Sequence, residues 1–107
     1  MAVLASGLYF DGWLARTGSV TVWPAAGQGT LSLTLSLPPG TERTPLHFRA
    51  PGLDRRVWVS PGTRRVVRFR VRARGPWRLV FRTTQTGFLG DGRAISVKAA
   101  APRFVGR

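Results

Sequence analysis

From Val67 to Arg74 apolar and arginine residues alternate without a break. Successive side chains on a β-strand point to opposite faces, so Val67, Phe69, Val71 and Ala73 share one face and Arg68, Arg70, Arg72 and Arg74 the other. A helix would scatter these arginines around its circumference. The stretch Arg64 to Arg74 therefore predicts a long strand with one apolar and one densely cationic face.

The same period of two recurs along the chain. Ser19 to Trp23 alternates and stops at Pro24. Thr30 to Leu37 places four leucines on one face and Thr or Ser on the other, and Pro38-Pro39-Gly40 ends it. Leu46 to Arg49 and Arg56 to Val59 are short strands closed by Pro51-Gly52 and Pro61-Gly62. Trp77 to Thr83 follows Gly75-Pro76 and is expected to pair with the arginine strand as a hairpin. Gln85 to Gly92 reads as a loop, and Arg93 to Lys98 as the last strand. The Pro-Gly pairs fit turns in which Pro presets φ and Gly supplies a positive φ.

Seven or eight short strands, spaced by about 8–12 residues and punctuated by Pro or Gly, predict an all-β chain. No segment holds a helical period over three turns. The expected fold is a single domain over residues 1–107, an antiparallel β-sandwich of about eight strands with jelly-roll-like character. A small closed barrel is the alternative. At 107 residues the chain is long enough for one core and too short for two.

Charge changes the picture more than composition does. Lys and Arg number 17 against 4 Asp and Glu, a formal net charge of +13, and Lys98 is the sole lysine. A GC-rich genome explains arginine over lysine, but not the shortage of acids. The excess points to a polyanionic partner: nucleic acid, an anionic surface or an acidic polysaccharide. No run approaches the ~20 apolar residues of a membrane-spanning helix, and no signal peptide is legible at Met1 to Gly7.

Little in the chain suggests catalysis or metal binding. There is no cysteine, hence no disulfide framework and no thiolate ligand. The acids are Asp11, Glu42, Asp54 and Asp91, and the one histidine is His47. They show no metal spacing, no P-loop and no Ser-His-Asp order. Asp91-Gly92 begins like a calcium loop, but no further acid follows within reach. A non-enzymatic protein without cofactor or metal is expected.

Aromatic rings offer another chemistry. If Val57 and Val59 face the core, Trp58 faces outward, and Trp23 is likewise out of phase with Val20 and Val22. Outward tryptophans are stacking platforms for sugar rings or bases. With Arg68, Arg70 and Arg72 they form the candidate ligand-binding set. Tryptophans packed under a covering segment, or stacked by neighbouring arginines, are the alternative.

Two clusters frame the chain: Gly7-Leu8-Tyr9-Phe10-Asp11-Gly12-Trp13-Leu14, and Leu89-Gly90-Asp91-Gly92-Arg93-Ala94-Ile95-Ser96-Val97. Together with the strands between them, they resemble the extracytoplasmic β-sandwich (jelly-roll-like) accessory domains of bacterial cell-envelope and sugar-transfer membrane proteins. Tyr9, Asp11, Gly12 and Trp13 match the opening Tyr-x-Asp-Gly-Trp element of that family. Asp91, Arg93 and Ser96 match its closing Asp-x-Arg-x-Leu-Ser element, with Ile95 at the aliphatic place. The resemblance implies a non-catalytic module at the cell surface, cut from a larger envelope protein, for which a glycan is a possible ligand. The +13 charge departs from that pattern and argues against a neutral sugar, so the expected partner is a glycan or an acidic polysaccharide. In bottom-up terms, Asp91 and Arg93 suit a charged pair, and Asp11 suits a turn with Gly12 at positive φ and Trp13 plugging one end of the sandwich.

Two further functions stand beside the glycan module. One is a structural subunit assembling through edge strands into an oligomer or filament, with Met1 to Ser6 and Ala99 to Arg107 as exchange arms. The other is a nucleic-acid- or polyanion-binding domain using the arginine face.

Overall fold

The alternating segments become strands. The computed structural model describes residues 3–9, 12–83, 87–88, 94–95 and 97–106. The strands are β1 (Val3–Leu8), β2 (Leu14–Val22), β3 (Gln28–Ser36), β4 (Thr44–Ala50), β5 (Leu53–Val59), β6 (Arg64–Arg72), β7 (Trp77–Arg82), β8 (Gly87–Phe88), β9 (Ala94–Ile95), β10 (Lys98–Ala99) and β11 (Arg103–Gly106). The described residues include no helix, and hence none long and apolar enough to cross a membrane.

Five strands form the first sheet in the order β1-β2-β7-β4-β5. The second is built on β3, with β6 along one side and β10 and β11 along the other. Every pairing is antiparallel. β10 and β11 run as one interrupted strand: Ala99 faces Leu35 and Arg103 faces Ser32, so one extra residue bulges out in the segment containing Pro102. β8 and β9 form a separate short hairpin.

The fold is thus an antiparallel β-sandwich. The core lies between the inward faces: Val20 and Val22; Leu31, Leu33 and Leu35; Leu46 and Phe48; Val57 and Val59; Val67, Phe69 and Val71; Trp77, Leu79 and Phe81 are all buried. Phe48 and Phe69 meet across the two sheets, with ring centroids 5.1 Å apart and planes tilted by 60°, a favourable aromatic geometry. Pro-Gly turns join β3 to β4, β4 to β5 and β5 to β6, and Gly40, Gly52 and Gly62 have φ of 87°, 75° and 73°, as that turn chemistry requires.

Several details differ from the sequence reading. The expected hairpin between the arginine strand and Trp77 to Thr83 does not form. β6 pairs with β3 over nine residue pairs, and β7 lies in the other sheet between β2 and β4. Two strands with one apolar face each satisfy that pattern equally well side by side or facing each other across a core. The seat of Phe81 fits the second arrangement. Its ring fills the place where a Cβ on Gly18, its β2 partner, would stand, a use of glycine to admit an aromatic ring.

The expected last strand Arg93 to Lys98 is divided, with Ala94–Ile95 pairing with β8 and Lys98–Ala99 with β3. The expected loop Gln85 to Gly92 contains β8, and its other residues lie outside the described ones. β1 and β11 have no alternation that marks them. Both proposed exchange arms are paired within their own chain: Val3 to Ser6 with β2, and Ala99 and Arg103 to Gly106 with β3.

Two arginines break the apolar pattern of the inward faces. Arg55 stands opposite Phe48 and Arg65 opposite Leu35, so both share the core-facing side of their strands. Both lie where the open edges of the sheets, β5 and β6, come together. The Arg55 guanidinium donates to the Arg68 carbonyl (3.3 Å) and sits 5.7 Å from the Phe69 ring centroid. Arg65 donates to the Trp58 carbonyl (3.1 Å). Each side chain ties one edge to the other, and inward charge of this kind also discourages edge-to-edge aggregation.

The Gly18 seat gives a stability test. Gly18→Ala places a methyl against both the Phe81 ring and the Ser6 carbonyl. Overpacking of this kind costs about 1–3 kcal/mol, which for a domain of this size lowers Tm by roughly 4–8 °C per kcal/mol. Thermal unfolding of Gly18→Ala beside wild type measures it, and an unchanged Tm contradicts the packing described.

Candidate functional site

The outward residues of the five-stranded sheet form rows across its strands. One row runs Thr17 (β2), Arg82 (β7), His47 (β4) and Arg56 (β5). Beside it stand Pro45 and Trp58, also directly opposite each other. These six residues, with Arg16 and Thr83, line an open cleft of about 720 Å³. Arg16 and Thr83 complete the lining where the Thr83 amide donates to the Arg16 carbonyl (3.0 Å).

The lining is chemically one-sided. Three guanidiniums, an imidazole, two hydroxyls and an indole meet there, and the cleft is lined by no carboxylate among the described residues. Arg82 and Arg56 flank His47 in one row, so two guanidiniums stand two strands apart with no carboxylate in the row between them. A fourth guanidinium, Arg43, stacks over the Trp58 ring at 4.4 Å from its centroid. That contact holds Trp58 by a cation–π attraction and leaves the indole half-buried on the outer face.

One acid tempers this charge from just outside. Asp54 lies diagonally across from His47, and its Oδ1 accepts a hydrogen bond from His47 Nε2. This bond places the ring proton on Nε2. The other carboxylate oxygen stands 3.8 Å from Arg49 Nε. The hydrogen bond from His47 holds the Asp54 carboxyl below the ordinary carboxylate range; desolvation opposes it, and the charges of His47, Arg49 and Arg82 add to the lowering.

The candidate residues read from the sequence occupy three separate places. Trp58 lines the cleft. Trp23 lies just past the end of β2, about 20 Å along that strand from Thr17 at the rise of a β-strand, and is 40% exposed. Arg68, Arg70 and Arg72 are exposed on the outer face of the other sheet. Arg78 and Arg82, placed beside them by the expected hairpin, belong to the first sheet.

In the opening element, Gly12 has a φ of 91° and its amide donates to the Tyr9 carbonyl (3.0 Å). Trp13 is half-buried and bridges to Lys98, whose ammonium lies 5.4 Å from the indole centroid. Asp11, Asp91, Arg93 and Ser96 lie outside the described residues. No group of three His, Cys, Asp or Glu side chains gathers as a metal site among the described residues.

Of the cleft residues, Arg16, Thr17, Pro45, His47, Arg56, Arg82 and Thr83 lie outside the candidate set read from the sequence. The parity of β5 put Arg56 on the same face as Trp58, a signal that was available. Arg82 and His47 needed the strand order β7-β4-β5, which no local pattern encodes. Compared with known proteins, the chain matches no family model, no curated protein and no solved structure.

The Asp54 pair predicts a pH effect. A carboxyl whose folded-state pKa is depressed stabilises the fold in full above its unfolded-state value, here near 3.8, and that contribution is lost as pH falls through the lower folded-state value. Melting wild type and Asp54→Asn side by side at low salt reads it. Between pH 5.5 and 4.5 wild type is expected to melt higher, with the gap closing as pH drops below about 4. A gap that does not narrow as pH falls below about 4 overturns the assignment. The effect is small, because the carboxylate is exposed and screened.

Proposed function

We propose that this domain is a non-catalytic binding module whose cleft holds part of an acidic glycan, as an extracytoplasmic accessory domain of a larger cell-envelope protein. The row Arg82, His47 and Arg56 beside Trp58, in a cleft lined by no described carboxylate, carries the reading. A ligand bearing carboxylate or sulfate groups can neutralise Arg82 and Arg56 through charge-assisted hydrogen bonds to the guanidiniums. The apolar face of a sugar ring fits against the part of the indole that Arg43 leaves uncovered, and the exposed Thr17 lines the cleft within reach of sugar hydroxyls. The extracytoplasmic setting rests on the resemblance of the Tyr9 to Trp13 and Asp91 to Ser96 elements.

A binding array at physiological salt, carrying neutral glycans, acidic glycans and single-stranded nucleic acid side by side, tests this function. Selective capture of an acidic glycan is the expected result. Preference for nucleic acid assigns the cleft to phosphate and bases instead. Failure to capture any of them, with light scattering showing a stable oligomer, favours the structural-subunit reading.

For the captured glycan, Trp58→Ala is expected to weaken binding about tenfold, the scale of one aromatic stacking contact. The variant Arg56→Ser/Arg82→Ser is expected to lower affinity and flatten the dependence of log K on log salt, because fewer counterions are released. Affinity that ignores salt, or a Trp58→Ala variant as tight as wild type, removes the cleft from the binding site.

A further inference from the structure

The second sheet presents a cationic surface of its own. On its outer face β3 contributes Gln28, Thr30, Ser32, Thr34 and Ser36. Arg64, Arg68, Arg70 and Arg72 stand along one flank on β6, with the exposed Val66 between the first two, and Lys98 and Arg103 along the other, where Val105 is exposed beside them. Register places Arg64, Ser36 and Lys98 in one row and Arg68, Ser32 and Arg103 in another. Long cationic side chains therefore border a low floor of hydroxyls that runs from Thr30 to Ser36. The described acids lie elsewhere: Glu42 precedes β4, and Asp54 is on β5 in the other sheet. No described carboxylate pairs with any of these six cations.

Protection of an edge strand does not account for this surface. The inward Arg55 and Arg65 already tie the edges of β5 and β6 together, and three flanking cations are not on β6 at its outer middle: Arg64 lies at its start, and Lys98 and Arg103 lie on the opposite flank of the sheet. Same-face residues on a strand recur about every 6.6 Å, so Arg68, Arg70 and Arg72 form an evenly pitched line of charge. Such a line suits an extended polyanion better than a compact anion. The surface also lies on the opposite side of the sandwich from the Trp58 cleft.

We infer that the outer face of the second sheet is a second acidic-glycan site, and that its position opposite the cleft makes the domain a bridge between two polysaccharide chains. The inference rests on the acidic-glycan reading of the cleft. An extended chain lying along β3 cannot also enter the cleft without turning around the sandwich, so two sites on one domain engage two chains or two distant parts of one. Long polymers are then drawn into a network, an effect of valency rather than of added contacts.

Three double variants of equal charge test the bridge: Arg68→Ser/Arg70→Ser on the second sheet, Arg56→Ser/Arg82→Ser in the cleft, and Arg74→Ser/Arg78→Ser outside both sites. The probe is polygalacturonate, a linear uronate polymer, as short oligomers for calorimetric stoichiometry and as long chains for light scattering, with thermal melts confirming the fold of each variant.

Wild type is expected to bind two oligomers and to cluster long chains. Each site variant is expected to bind one oligomer and to lose most of the scattering, while the control variant retains both. Two results overturn the bridge and leave the cleft reading intact: wild type binding a single oligomer that Arg56→Ser/Arg82→Ser abolishes, or Arg68→Ser/Arg70→Ser clustering chains as wild type does. A control variant that loses as much scattering as the site variants overturns it in favour of net charge alone. Wild type that binds no oligomer overturns the cleft reading together with the bridge.

Discussion

Two sheets that are each apolar on one side only have to lie face to face, and the rest of this molecule follows from that constraint. Burying one large apolar side chain is worth about 1.5–3 kcal/mol, and buried leucines, valines and aromatics line both inward faces. No single surface contact competes with that sum. Close packing then dictates where small residues must stand. Phe81 takes the space over Gly18, and Phe104 that over Gly29, so one glycine in each sheet admits a ring that a Cβ would exclude. The contact of Phe48 with Phe69 fixes how the sheets meet near the edge shared by β5 and β6.

With the apolar faces committed to the core, the cations are left on the two outer faces and at the edges. Their consequences differ by place. Arg55 and Arg65 share the core-facing side of their strands but reach backbone carbonyls across the open edge, and they close the sandwich there. Arg16, Arg56 and Arg82 converge around Trp58 and His47. Arg64, Arg68, Arg70, Arg72, Lys98 and Arg103 border the hydroxyl floor of the other sheet. Nine of the 17 cations thus gather in two separate groups on opposite outer faces of the sandwich. Asp54 is the described acid placed to soften the first group, through His47 and Arg49; the second has no such described neighbour.

Much of the architecture was legible because a period of two is a local property. The inward leucines of β3, the split of β6 into Val67, Phe69 and Val71 against Arg68, Arg70 and Arg72, and the outward turn of Trp58 between two buried valines all follow from parity. The Pro-Gly turns were legible for the same reason, since the φ each residue needs depends on the residue itself. β1 and β11 were not, because an edge strand held by backbone hydrogen bonds to one neighbour needs no alternation of its own. The division of Arg93 to Lys98 between two pairings also has no local signature.

The sequence by itself determined that the chain is all-β, which residues of most strands face inward, where the main turns fall and how large the positive excess is. Each of these depends on a residue and its near neighbours. Tertiary structure alone decided which strands lie side by side. β6 and β7 carry the same alternation and are adjacent in sequence, yet they sit in different sheets because facing partners across a core look the same to a period of two as lateral ones. That choice separated Arg68, Arg70 and Arg72 from Trp58, brought Arg82 and His47 to it instead, and left Trp23 at the far end of β2. A site made across strands depends on strand order and register, and both are set by long-range packing that no short stretch of the chain contains.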